Sequence, residues 1–250
     1  MGAATQTSLR GDEPAIAISG IENFSLTARP EELEAIKATL TELNDGTDSL
    51  AVQAQQALAA ADLLQQADPL QYQPDNGAAY PDSAFGQTLL QVGQLIKAQE
   101  LGMEVICVDI GGWDTHNQQN VELANLLQDF SDSLAAFYTD MGSRMAYITV
   151  VTMSEFGRRA YENASGGTDH GHGNCILALG GGVNGGVVYT DWPGLAQNQL
   201  YQGGDLEVST DWRTVLGELV NRRLNNTALD QVFPDYPMPP FLNLFKTLGA

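Results

Sequence analysis

The sequence predicts an α/β protein with a helical N-terminal region, and three observations carry that prediction. The first hundred residues show helical periodicity, with apolar positions three and four apart. Two short, continuous apolar runs, EVICVDI and AYITVVTM, then flank one long helical pattern. All 3 histidines of the chain fall in two glycine-flanked loops beside these runs.

At 250 residues and 43% hydrophobic content the chain is long and apolar enough to bury a sizeable core. Its 11 basic and 31 acidic residues leave a net charge of −20, a surface that repels phosphate backbones and anionic lipid headgroups. Neither nucleic acid nor a membrane surface is expected as a partner. No window approaches 18 continuous apolar residues, and MGAATQTSLRGDEP lacks the apolar centre of a signal peptide.

Two regions are expected: 1–102, mainly helical, and 103–250, an α/β core with site loops and a Pro-rich tail. PEELEAIKATLTEL opens with Pro30 and two acids and places Leu33, Ile36, Leu40 and Leu43 on one stripe. SLAVQAQQALAAADLLQQA and the segment from Phe85 to Glu100 are the second and third helices, joined by the Pro/Asn/Gly loop DPLQYQPDNGAAYPDS. EVICVDI, the helical pattern from Gln118 to Tyr138 and AYITVVTM form a β-α-β unit, whose crossover makes the two strands parallel. CILALG is a third strand and DWRTVLGELVNRRL a late helix, while QVFPDYPMPPFLNLF has too many prolines for regular structure and reads as a strap. Cys107 and Cys175 lie inside apolar runs and are expected as packed, free thiols.

The loop GGWDTH, after the first of these strands, carries Asp114 and His116; GGTDHGHG, before the third, carries Asp169, His170 and His172. SEFGR, at the end of the second, adds Ser154, Glu155 and Arg158. Carboxylates and imidazoles brought to one sheet edge are the makings of a metal site with nitrogen and oxygen ligands, and glycines let such loops turn tightly. A single loop aspartate or histidine is more often solvated or a helix cap, and Thr115 or Asn117 suits the latter role. Glu155 and Arg158 read equally well as a surface ion pair. Zinc, manganese, iron and calcium all remain open as the divalent metal. Ser154 lacks the Gly-x-Ser-x-Gly context of a nucleophile elbow, and GGGVNGG opens no phosphate-binding helix.

GGWDTH, TVVTMSEFGR, EN-x-S-x-GTDHGHG, LALGGGVNGGVVY and TDWR together resemble the C-terminal part of the bacterial domain of unknown function 1501 family. That family resembles a branch of the alkaline phosphatase and sulfatase superfamily. The resemblance implies a three-layer α/β/α sandwich, here without its first strand, and a metal-dependent hydrolase of phosphate or sulfate esters. It makes Asp114, His116, Glu155, Asp169, His170 and His172 metal ligands, with Arg158 a further contact for the anionic ester. It also implies a periplasmic or secreted protein reached by twin-arginine export. The family's early strand and Gly-Gly-x-Asp-Gly loop have no counterpart before Met103, so the chain is expected to be a C-terminal piece of a longer protein. A second class of function is an exported binding or assembly protein on the same fold.

Overall fold

The computed structural model describes residues 9, 15, 17–21, 26, 28–66, 72–98 and 101–248. Apart from residue 9, the N-terminal MGAATQTSLRGDEP lies outside them, as do residue 67, residues 68–71 of the Pro/Asn/Gly loop and residues 99–100. The chain divides into two compact units, residues 1–111 with 127–141 and residues 112–126 with 142–250.

In the first unit, helix α1 (Pro30–Leu43) begins with Pro30, whose missing N–H would have had no helical partner, followed by Glu31 and Glu32 at the positive end of the helix dipole. None of its residues is buried, so its apolar stripe stays at the surface. Charge ties it to α2 (Ser49–Gln66), with Lys37 Nζ 2.5 Å from Asp62 Oδ1. The turn between them is held by Asp48, whose Oδ1 accepts from the amides of Leu50 and Ala51, each at 3.0 Å.

Helix α3 (Ala84–Lys97) is capped by Ser83, whose Oγ accepts from the Gly86 amide at 3.0 Å. Its face of Gly86, Leu89, Val92 and Gly93 is buried. Helix α4 (Gln119–Met141) buries Ser133, Ala136, Phe137, Asp140 and Met141, the i, i+3, i+4, i+7, i+8 stripe of an amphipathic helix with a carboxylate in it. Ile18, Ile21, Leu64 and Leu95 form an apolar cluster, against which Leu101 and Ile106 pack.

In the second unit, strand β1 (Val150–Val151) pairs with β4 (Ala178–Leu179), and β2 (Gly157–Arg158) with β3 (His170–Gly171), both antiparallel. Helix α5 (Trp212–Arg223) is capped by Asp211, which accepts from the Arg213 amide at 2.8 Å. A short helix, α6 (Leu229–Val232), runs two residues into the Pro-rich tail, where no regular structure was expected, and the rest of the tail runs as a strap. The Phe245 amide donates to Glu218 Oε1 at 3.0 Å, Asn184 N to Leu244 O at 2.8 Å and Lys246 N to Gly182 O at 2.8 Å. Leu244 and Phe245 are buried with Val215 of α5, and burial of a side chain of this size stabilises by about 1.5–3 kcal/mol. The first three glycines of GGGVNGG lie close to residues 145–149 and Arg223, where a Cβ would collide, so close packing accounts for them.

Two expectations are corrected. The parallel β-α-β unit is not formed among the described residues: EVICVDI carries no ladder, and the later runs meet each other antiparallel at 150–151 and 178–179. A short apolar run specifies burial but not a partner, and a ladder needs a neighbouring strand. Neither Cys107 nor Cys175 is in a disulfide, yet Cys175 is exposed rather than packed. Only Ala178 and Leu179 of CILALG join the ladder, and the Cys175 amide instead donates to Asn174 Oδ1 at 2.7 Å.

Candidate metal centre

The two site loops meet because the backbones around them clasp. Asn117 and Gly166 form an antiparallel bridge, with Gln118 N donating to Ser165 O at 3.1 Å and Gln119 N to Gly166 O at 2.8 Å. Gln119 Oε1 accepts from the hydroxyls of Thr115 (3.0 Å) and Thr168 (2.7 Å), one from each loop. A Cβ on Gly167 would overlap the His116 carbonyl, so only glycine allows this approach. Gly157, Gly171 and Gly173 play the same part where β2 meets β3 and the chain just beyond it, each lying against backbone of the facing segment.

The clasp brings three side chains to one point. Asp114 Oδ1 is 3.0 Å from His116 Nε2 and 2.7 Å from His170 Nε2, and one ligand atom from each of the three lies within 4.8 Å of the others. Phe156 stacks on the His170 ring at 4.6 Å between centroids, fixing its plane. Asp169 stands behind the group: its Oδ1 is 3.3 Å from His116 Nδ1 and accepts from Asn163 Nδ2 at 2.9 Å. Asn163 also donates to His116 O at 3.0 Å, and its own Oδ1 accepts from the amides of Ser165 and Gly167. A carboxylate on the far nitrogen of a ligand histidine is the arrangement that selects its tautomer and aims the other nitrogen at a metal.

The electrostatics agree with the geometry. The hydrogen bond from His170, aided by the charges of His116 and Arg158, holds the Asp114 carboxyl below its ordinary value, and bonds from Asn163 and His116 do the same for Asp169. Both groups are therefore ready to act as anionic oxygen donors at neutral pH.

The other expected residues lie elsewhere. His172 packs its ring against Tyr201, 4.7 Å between centroids, and Glu155 is exposed and outside the convergent group. Arg158 is turned inward, donating from Nη1 to Thr168 O (2.5 Å) and from Nη2 to Trp113 O (2.6 Å), with Asp114 Oδ1 at 3.4 Å. Ser154 Oγ is engaged by its own turn, donating to Phe156 O at 2.7 Å. Sequence reasoning missed Asn163 and Phe156. The Asn163-x-Ser165-x-Gly167 spacing, typical of a side chain capping its own turn, was the available signal for the first.

A different cluster that sequence reasoning missed occupies the first unit. Asp140 is fully buried and accepts from Tyr72 Oη, from the Asp75 amide (2.6 Å), from Tyr80 Oη (2.8 Å) and from Lys97 Nζ (2.6 Å). Lys97 also pairs with Asp75 at 2.9 Å and lies over the Tyr72 ring. Burial alone would raise the Asp140 carboxyl, but Lys97 and the other donors outweigh it and hold the group below its ordinary value. Burial first and Asp140 second push Tyr72 up to about 12.

No curated protein and no solved structure matches the chain. Residues 19–230 match the family described as protein of unknown function (DUF1501), a span that includes every site residue named above. The chain therefore belongs to the DUF1501 family.

Proposed function

We propose that Asp114, His116 and His170 bind a divalent metal ion and that the site hydrolyses phosphate or sulfate esters. The observation that carries the reading is the convergence of one carboxylate oxygen and two imidazole nitrogens within 4.8 Å. Ligands held about 2.0–2.2 Å from one ion are about 3–4 Å apart, so the two imidazole nitrogens, 2.7 and 3.0 Å from Asp114 Oδ1, would move outward by up to about 1 Å to admit the ion. Two imidazoles favour zinc or iron over calcium. Three protein ligands leave a coordination position open, as in catalytic rather than structural sites.

When bound, the ion would supply Lewis acidity toward an ester oxygen and lower the pKa of a bound water. The residues of the chain do the remainder. With the ion bound, Asp169, itself held by Asn163, would hold the His116 proton on Nδ1 and leave Nε2 to the ion beside Asp114. Phe156 keeps the His170 ring turned with its Nε2 toward the same point. With this reading goes the proposal of a three-layer α/β/α core of alkaline phosphatase and sulfatase type, supported by the order of the motifs along the chain.

The test combines elemental analysis after dialysis with turnover of aryl phosphate and aryl sulfate esters, in wild type and His116→Ala. One metal per chain in wild type, its loss in the variant and ester turnover that follows metal content are expected. Equal metal in both proteins overturns the site, and metal without turnover favours a binding or assembly protein.

A further inference from the structure

We propose that Arg158 is the positioning residue of this centre: its guanidinium joins the two ligand loops by their backbone carbonyls and sets the spacing of Asp114, His116 and His170. The inference rests on the metal-site reading for its consequence, though not for its geometry.

Arg158 is anchored at both ends. Its backbone pairs in register with His170, and its amide and carbonyl exchange bonds with Gly173, both at 2.7 Å. Its side chain then reaches across both loops. Trp113, which receives Nη2 at 2.6 Å, immediately precedes Asp114, and Thr168, which receives Nη1 at 2.5 Å, immediately precedes Asp169 and His170. One planar group thus fixes the distance between the backbone just before Asp114 and the backbone just before His170. The guanidinium also lies 4.9 Å from the centre of the Phe156 ring that stacks on His170, so the residue braces the histidine through a second route.

The chemistry suits arginine alone. Two carbonyls approached from different loops need two donors held at a fixed angle, which the guanidinium fork provides and a lysine ammonium does not. The side chain is only 18% exposed, with the donors named above committed to protein oxygens. A contact for an incoming anion would need those donors turned outward. SEFGR therefore serves the centre by shaping it, through Phe156 and Arg158.

The experiment uses cobalt as a spectroscopic probe on the metal-free protein, with hydrogen exchange of the Thr168, Gln118 and Gln119 amides in the same protein without metal. Wild type is compared with Arg158→Lys, Arg158→Met and, as a charge control on the neighbouring exposed side chain, Arg159→Met. Arg158→Lys and Arg158→Met are expected to bind cobalt about tenfold or more weakly, to shift its visible bands and to speed exchange of the three amides. Arg159→Met should match wild type. Should Arg158→Met fail to fold, Arg158→Lys decides. A lysine variant with wild-type affinity, bands and exchange overturns the proposal, because charge would then suffice. If wild type binds no cobalt, the metal reading fails while the exchange comparison still decides whether Arg158 joins the loops.

Discussion

Asp140 and Asp114 are two aspartates surrounded by cationic or protonated partners, and the contrast between them separates a structural cluster from a chemical one. Asp140 is 0% exposed and its carboxylate meets four donors, as many as its lone pairs can take. Nothing is left to offer a ligand. The Asp114 side chain is 58% exposed, and its partners are imidazoles whose nitrogens can exchange a proton for a metal. Saturation in a buried site rigidifies; open valence in an exposed one leaves room for chemistry. The same residue type thus serves opposite ends according to burial.

The largest effect should come from unbalancing the buried cluster. Lys97→Met leaves the Asp140 charge buried without its cation and is expected to lower stability by about 3–5 kcal/mol in urea unfolding, whereas Asp114→Asn in metal-free protein should stay within about 0.5 kcal/mol. Similar values for the two variants would erase the distinction drawn here.

Metal affinity should rank the other way. His116→Ala and His170→Ala are each expected to weaken binding by about tenfold or more, and Asp169→Asn by about tenfold, in competition titrations with a chelating dye. Glu155→Gln and His172→Ala should bind as wild type does; a loss in either would return these residues to the ligand set that the sequence suggested.

The pH dependence of stability sharpens the buried side of the comparison. Asp140 is depressed in the folded state, so its contribution is present above the ordinary Asp value of about 3.9 and is lost as pH falls through the lower folded value. Tyr72 is raised, so its contribution is complete below about 10 and is lost as pH rises toward about 12. Chemical denaturation from pH 3 to pH 11.5 should show both limbs, and Tyr72→Phe should make the alkaline one shallower, Tyr80 and Lys97 being raised beside it. An unchanged alkaline limb in that variant would remove Tyr72 from the cluster's energetics.

The smallest effect belongs to a cap. Asp211→Ala removes the side chain that accepts the Arg213 amide at the start of α5 and should cost about 1 kcal/mol, measured by thermal melting with metal affinity unchanged. A change in metal affinity would mean that α5 communicates with the centre.

Much of the helical structure was legible. Pro30, Glu31 and Glu32 mark the start of α1, and the apolar spacing in PEELEAIKATLTEL and DWRTVLGELVNRRL outlines α1 and α5. The gathering of the histidines into glycine-flanked loops pointed to Asp114, His116 and His170, which the structure brings together. Asp140 was overlooked although its position was visible: it falls on the stripe that also holds Ser133, Ala136, Phe137 and Met141, and a carboxylate on an apolar stripe must find buried donors. Strand pairing was not legible, since EVICVDI is as apolar as a central strand and still joins no ladder among the described residues.

The sequence by itself determined which long stretches are helical, to within a few residues at their ends, which side chains are available for chemistry and which glycines flank them. A helix closes its hydrogen bonds within four residues, so its signals sit in one window of the chain. Only the tertiary structure decided which of the candidates meet. Asp114 and His170 are 56 residues apart, and their 2.7 Å contact depends on a clasp of backbone bonds and on glycines at 157, 167, 171 and 173 whose missing Cβ atoms let the loops approach. His172, two residues from His170, turns to Tyr201 instead. Convergence of side chains from distant loops is set by register and close approach between backbones, and neither quantity is written in any local stretch of sequence.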